Sequence, residues 1–334
     1  MTIVADCGNS QAVTSVCTMG TPECDEELRL FLRCLRALHP HVQVVVGCTS
    51  GMISPGRSAS SAFADFGADE KIEWVPCLDP YLPINRGAME QQHGVWYPSR
   101  HADFMMEKAN LMERAMMLHS PQKPCGGGPE CVVAFLDCDV VLLGELPCIP
   151  FGTQVALSPH QLRTRDEALF GKYNGGYVVA TTPSVIYEWR RATQYSRYFD
   201  QASLECVANS FSSTLYELPP QHNYGYWRLF QTYRVDPLAE AKQFSIKPMG
   251  SPRQWTLCYE GAPLRSIHTH LLTSTCRQGR DVQAFNTLIK RWIQRCVQPP
   301  HRVTTAAVAA NRLYEVCLGP YLKVAGQKLS KAPP

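Results

Sequence analysis

No run of apolar residues in this 334-residue chain approaches the length of about 20 that a membrane-spanning helix needs. The opening Met1-Thr2-Ile3-Val4-Ala5-Asp6 lacks the basic start and long apolar centre of a signal peptide. A soluble cytoplasmic protein is the expectation. Charge of one sign is lacking too. The chain has 32 Lys and Arg against 29 Asp and Glu, a formal +3 with the basic residues scattered, so neither a polyanion-binding stripe nor a nucleic-acid partner is indicated. Paired cysteines are missing as well. Of fifteen cysteines none forms Cys-x-x-Cys, and Cys17, Cys34, Cys131 and Cys296 lie in apolar or helical segments. That argues against a disulfide scaffold and a short-spaced zinc site, and reads as reduced thiols filling apolar space.

What is present is a globular composition, 45% hydrophobic, on a chain long enough for one large or two ordinary domains. Strand and helix patterns alternate. Ala12 to Cys17 reads as a strand. Thr21-Pro22 then offers an N-cap and first-turn proline for a helix carrying Leu28, Phe31, Leu32, Leu35 and Leu38 on one face. Val42 to Val46 and Ile72 to Val75 read as strands, and Asp103 to Leu118 as a helix turning Phe104, Leu111, Met112 and Ala115 inward. Ser54 to Ser61 and Ser120 to Pro129 read as loops. Such alternation predicts an α/β protein with a mostly parallel central sheet, whose ligands gather beyond the carboxyl ends of the strands. An apolar stripe from Val282 to Cys296, a segment from Ala306 to Val324 and a basic tail from Gly326 to Pro334 suggest a helical extension with a loose end.

The chemistry is concentrated after the run Val132-Val133-Ala134-Phe135-Leu136, where Asp137, Cys138 and Asp139 follow. Alternate residues of a strand share a face, so the two carboxylates can point together and Cys138 away. Hard oxygen ligands suit Mg²⁺ or Mn²⁺, with open positions for phosphate. A solvated turn is the plainer alternative.

Four segments together carry a resemblance to a known class. Phe135-Leu136-Asp137-Cys138-Asp139-Val140-Val141 resembles the Asp-x-Asp motif of GT-A-fold glycosyltransferases, and Tyr173-Asn174-Gly175-Gly176-Tyr177 resembles their donor-sugar loop. Asp200-Gln201 resembles the Asp-Gln segment of the glycogenin-like and lipopolysaccharide-galactosyltransferase-like members, and Ile267-His268-Thr269-His270 their late metal-binding histidine. The likeness covers roughly residues 12 to 272. It implies a Rossmann-like GT-A catalytic domain over residues 1–275, with 276–334 as the helical extension packed on it.

The resemblance further implies a metal-dependent transferase that uses a nucleotide diphosphate sugar. UDP is the expected nucleotide and GDP the alternative. The Mn²⁺ or Mg²⁺ would be held by Asp137, Asp139 and either His268 or His270, with His268 favoured because it follows the apolar Ile267. Asp137, Cys138, Asp139, Asn174, Gly175, Gly176, Lys108 and Thr18 are the expected donor-binding residues, and Asp200 and Gln201 the expected catalytic ones. Asn174 brings an amide suited to sugar hydroxyls, followed by glycines that let backbone approach a ligand. A plain Asn-Gly-Gly turn, a helix-capping Asp200 and a solvated Lys108 are the competing readings. Retention of the linkage is implied, although Asp-Gln-Ala stands where the closest pattern has Asp-Gln-Asp; in an inverting enzyme Asp200 is the candidate base.

His222-Asn223-Tyr224-Gly225-Tyr226-Trp227 clusters aromatics suited to an acceptor pocket, and Ser158-Pro159-His160 and Asp166-Glu167 lie where acceptor-facing loops are expected. The acceptor is open: a protein, a glycan, a small metabolite or a modified base. A sugar-1-phosphate nucleotidyltransferase would need a glycine-rich, basic phosphate loop, whereas Thr18-Met19-Gly20-Thr21-Pro22 supplies neither the glycines nor an arginine. A non-catalytic nucleotide-sugar binder or scaffold is the alternative from another class.

Overall fold

The computed structural model describes residues 9–53, 66, 69–82, 85–119, 131–229, 242–249 and 251–269. His270, the expected boundary at residue 275, the C-terminal helices and both expected loops fall outside these residues. The first elements are β1 (Ser10–Ala12), β2 (Ser15–Met19), α1 (Asp25–Leu38), β3 (Gln43–Gly47), α2 (Ser50–Ile53), β4 (Ile72–Val75), α3 (Arg86–Gln91) and α4 (Arg100–His119). There follow β5 (Val133–Leu136), β6 (Val140–Leu142), β7 (Cys148–Pro150), β8 (Val155–Pro159), α5 (Thr164–Phe170), β9 (Tyr173–Ala180) and α6 (Pro183–Thr193). The last are α7 (Phe199–Ala202), α8 (Leu204–Ser210), β10 (Leu215–Glu217), β11 (Tyr224–Gly225), β12 (Phe244–Met249), β13 (Ser251–Tyr259), β14 (Ala262–Pro263) and β15 (Ser266–His268).

Local chemistry sets the boundaries. The strand expected from Ala12 to Cys17 breaks at Val13-Thr14, where the Thr14 hydroxyl and amide hydrogen-bond the Val132 backbone. Thr21 precedes a short 3-10 turn with Pro22 at its first position, but its hydroxyl makes no capping bond. The helix expected from Asp103 starts earlier because the Ser99 hydroxyl accepts the Ala102 N–H at 3.1 Å. Asp103 itself accepts the backbone N–H groups of Val95, Trp96 and Tyr97, which fastens the incoming loop to the first turn.

Seven strands form the central sheet in the order β10-β8-β9-β5-β2-β3-β4, which bears out the α/β reading. The pairs β10/β8, β5/β2, β2/β3 and β3/β4 are parallel, whereas β9 runs antiparallel to both β5 and β8. Side chains alternate across this sheet into two cores. On one face α1 buries Leu28, Phe31, Leu32 and Leu35 against Val16, Val44, Ala134 and Leu136. On the other, Leu111, Met112 and Ala115 of α4 and Val185, Ile186 and Trp189 of α6 pack on Cys17, Val45, Phe135 and Val178. With both faces covered, β2 and β5 are buried at every position and β3 at all but its first, rather than at alternate ones.

Two further pairings bring distant segments to one end of the sheet. β15 lies antiparallel to β6, with His268 opposite Val140, and parallel to β11. The antiparallel entry of β9 sets Asn174 to Gly176 beside the end of β5, where the Asp137 N–H donates to the Gly176 carbonyl at 2.9 Å. No helix among the described residues is long and apolar enough to cross a membrane.

Candidate active site

Asp137, Cys138 and Asp139 form a tight turn rather than a continuation of β5: the Val140 N–H donates to the Asp137 carbonyl at 3.0 Å and β6 begins at once. The turn still converges the two carboxylates, and β15 delivers the third group. A carboxylate oxygen of each aspartate and an imidazole nitrogen of His268 all lie within 4.8 Å of one another. His268 Nε2 is 3.0 Å from Asp139 Oδ1 and 3.9 Å from Asp137 Oδ2. The Thr269 N–H and hydroxyl both donate to the Asp139 carbonyl, at 2.9 and 3.1 Å, which fastens the end of β15 to the turn. Burial pushes the His268 pKa down, but Asp139 and then Asp137 more than offset it and raise it above the ordinary histidine value. Two carboxylates and an imidazole are a donor set for Mn²⁺ or Mg²⁺, so these residues fit the expected ion.

Lys108, on α4, is buried rather than solvated. Its ammonium lies 3.2 Å from Asp137 Oδ1 and 3.1 Å from Asp200 Oδ2, and donates to the Gly175 carbonyl at 3.0 Å. It sits 5.1 Å from the centre of the Phe135 ring, in cation–π contact. Burial lowers its pKa, yet the Asp137 and Asp200 carboxylates prevail and hold it above the usual lysine value. A helix lysine among apolar neighbours can stay charged only with such partners.

Asp200 is not the helix cap; Tyr198 holds that position and Asp200 lies in the first turn of α7. Its side chain is buried against Lys108, and its carbonyl accepts the Trp189 indole N–H at 2.8 Å and the Ser203 hydroxyl at 2.6 Å. The preceding Phe199 has φ +42°, a left-handed conformation costly for a bulky residue. His101 meets its ring edge-on at 4.5 Å and Tyr198 lies at 4.8 Å. Packing thus holds a strained backbone one residue before the buried carboxylate.

The donor-sugar loop expected from the resemblance is the start of strand β9, and its glycines are required by proximity. A Cβ on Gly175 would lie 2.5 Å from Asp200 Oδ2, and one on Gly176 would crowd Asp137 Oδ2 and lie 2.5 Å from His268 Cε1. Only glycine permits the strand to pass between the acids.

The Asn174 amide, expected at the donor sugar, has partners within the protein. Its Oδ1 accepts the Gly176 N–H and the Asn223 amide, each at 3.0 Å, and its Nδ2 donates to His160 Nε2 at 2.9 Å and Gln201 Oε1 at 3.4 Å. All four hydrogen-bonding positions of the amide are thus satisfied, which fixes the start of β9. Gln201 Oε1 also accepts the Gly175 N–H at 3.4 Å, while its Nε2 donates to the Phe170 carbonyl at 2.8 Å.

His160 was placed in an acceptor-facing loop by sequence; the structure puts it behind Asn174. Because the Gly176 N–H can only donate, the Asn174 amide is fixed with Nδ2 toward His160, whose Nε2 must accept. Nδ1 then donates to the Gly171 carbonyl at 3.1 Å. The ring is therefore neutral, and burial pulls its pKa down to about 3. Trp227 closes the wall, edge-on to both His160 and His268 at 5.2 and 5.1 Å, with its indole N–H on the His160 carbonyl. Asn223, Tyr224 and Trp227 are buried, so these members of the aromatic cluster are supporting wall. Asp166 pairs with Arg163 at 2.6 Å. Thr18 is buried on β2, next to β5, and its hydroxyl has no hydrogen-bond partner among the described residues. Cys138 turns away from the carboxylates toward Cys24.

Among solved structures, the chain is similar to the galactosyltransferase LgtC in complex with donor and acceptor sugar analogs, at 13% identity and a TM-score of 0.45 over 89% of this chain and 99% of that one. The glycosyltransferase GlyE of Streptococcus pneumoniae TIGR4 aligns at 12% identity and a TM-score of 0.39, over 88% of this chain and 66% of GlyE. The bifunctional glycosyltransferase WbbM, in its apo form, aligns at 11% identity and a TM-score of 0.42, over 84% of this chain and 52% of WbbM. No protein-family profile and no curated protein matches the chain.

Proposed function

We propose that this chain is a metal-dependent GT-A glycosyltransferase that moves a sugar from a nucleotide diphosphate, UDP in the first instance, to an intracellular acceptor with retention of the linkage. The observation that carries the reading is the junction at Lys108, one buried cation shared between Asp137 of a three-residue metal-ligand set and a second buried carboxylate, Asp200. Sugar transfer separates charge: positive character grows at the anomeric carbon while negative charge grows on the departing diphosphate. A divalent ion held by Asp137, Asp139 and His268 would supply Lewis-acid stabilisation of that diphosphate. Lys108 holds Asp137 and Asp200 in register and puts fixed positive charge behind the site. Asp200 sets negative charge where the donor sugar would lie, beside the Gly175–Gly176 backbone.

An in-line base must be able to turn toward an acceptor hydroxyl and take its proton. Asp200 Oδ2 is instead held by Lys108 in a dry environment, which favours an electrostatic and orienting role and, with it, retention. Gln201 and Asn174 hold the start of β9 that shapes the sugar pocket, and Thr18 offers a buried hydroxyl on β2 without a partner among the described residues.

Purified protein incubated with a panel of nucleotide sugars and Mn²⁺, Mg²⁺ or chelator, without acceptor, tests the proposal through release of nucleotide diphosphate. Release from one donor that requires the metal and disappears in Asp139→Asn is the expected result. Silence across the panel together with no nucleotide-dependent thermal shift overturns it in favour of a non-catalytic scaffold, whereas silence with a shift favours a non-catalytic nucleotide-sugar binder.

A further inference from the structure

The cysteines carry a second constellation that sequence spacing hides. Cys24 closes the turn before α1, Glu27 follows three residues later on the same face, and Cys138 arrives from the β5–β6 turn. The Sγ atoms of Cys24 and Cys138 and a carboxylate oxygen of Glu27 all lie within 4.8 Å of one another. Glu27 is buried and both cysteines are half-buried.

We propose that Cys24, Glu27 and Cys138 form a second cation site, for a thiophilic divalent ion of the Zn²⁺ class, back to back with the oxygen-rich site on the same turn. The donor chemistry decides the ion. Two sulfurs and one carboxylate select Zn²⁺ over Mn²⁺ or Mg²⁺, whereas Asp137, Asp139 and His268 on the other side of the turn present mostly hard oxygen. Geometry permits it. Ligands sharing a tetrahedral zinc at about 2.0–2.3 Å lie roughly 3.5–3.8 Å apart, a separation that side-chain rotation reaches from the present one. Three protein ligands leave the fourth position to solvent or to a small ligand. The proposal stands whether or not the chain transfers sugar, since none of the three residues belongs to the oxygen-rich site's ligand set.

Cd²⁺ is the probe, added to the reduced full-length protein in excess Mn²⁺, with the near-ultraviolet thiolate-to-cadmium charge-transfer band as readout. One tight equivalent with the band is expected, retained in Asp139→Asn and lost by at least tenfold in affinity in Cys24→Ser and Cys138→Ser. An equivalent that survives both serine variants, or one that vanishes with Asp139→Asn, overturns the proposal. Wild-type protein alone gives the control against misfolded variants. Zn²⁺ should protect Cys24 and Cys138 from alkylation, read by peptide mass, while the exposed Cys148 and Cys206 react unchanged. Equal reaction at all four, or a Cys24–Cys138 disulfide in protein kept reduced, also overturns it.

Discussion

His160 and His268 are both buried, and both meet Trp227 edge-on at nearly the same distance. Their electrostatic surroundings could hardly differ more. His160 faces a carbonyl and an amide, and burial leaves it neutral; His268 faces two carboxylates, whose field outweighs the same burial. Residue type and apolar packing are therefore held constant while the partners change, and the partners alone separate a positioning residue from a candidate metal ligand.

Truncating each histidine is the largest test of that difference. His268→Ala removes one of three donors and should reduce metal-stimulated release of nucleotide diphosphate by about 10²–10³-fold, with unfolding temperature little changed. His160→Ala leaves Asn174 with an unpaired buried donor, costing about 1–3 kcal/mol of stability, and should keep the affinity for Mn²⁺ within about tenfold. Titrating Mn²⁺ by its paramagnetic signal alongside the release assay measures both. Equal losses of metal affinity in the two variants would erase the distinction.

The carboxylate side of the comparison depends on Lys108, so its removal should be felt through the fold. Lys108→Met keeps the apolar stem but leaves Asp200 buried beside Asp137 with no counter-charge, and should cost about 3 kcal/mol in denaturant unfolding. Adding Asp200→Asn should restore most of that loss without restoring activity. A Lys108→Met protein as stable as wild type would mean that Asp200 finds solvent or another partner.

The sequence disclosed the elements well and the contacts poorly. Apolar periodicity placed α1, β3, β4 and α4 within a few residues because each buries a stripe or a full strand that composition records directly. Between strand and turn at Asp137 to Asp139 the sequence leaves both open, because the apolar run before and Val140-Val141 after hide a break that only the Asp137–Val140 hydrogen bond reveals. Lys108 is singled out only by the resemblance, beside the competing reading of a solvated helix lysine: its burial is created by α7 and β9, more than sixty residues away in sequence. For His160 the signal was a polar residue at the end of an apolar strand, but its partners Gly171 and Asn174 become neighbours only when α5 folds back. The thiol cluster was illegible for the same reason, since Cys24 and Cys138 approach only through the packing of α1 against the β5–β6 turn.

Per pH unit the effect is smaller, and it tests the neutral histidine directly. A His160 whose folded pKa is about 3, against about 6.5 in the unfolded chain, binds its proton more readily when unfolded. Its neutrality therefore contributes full stability above pH ~6.5, and that contribution declines as the pH falls toward 3. The slope is about 1.4 kcal/mol per pH unit for each such histidine. His101 and His222, both held by burial at about 4, act in the same direction over most of that window. Denaturant unfolding between pH 7 and 4 should accordingly show stability falling with acid, and His160→Gln, which cannot titrate, should remove one proton's share of the slope while leaving the rest. An unchanged slope in that variant would show that His160 already takes up its proton in the folded protein, and that the fixed Asn174 amide does not exclude it.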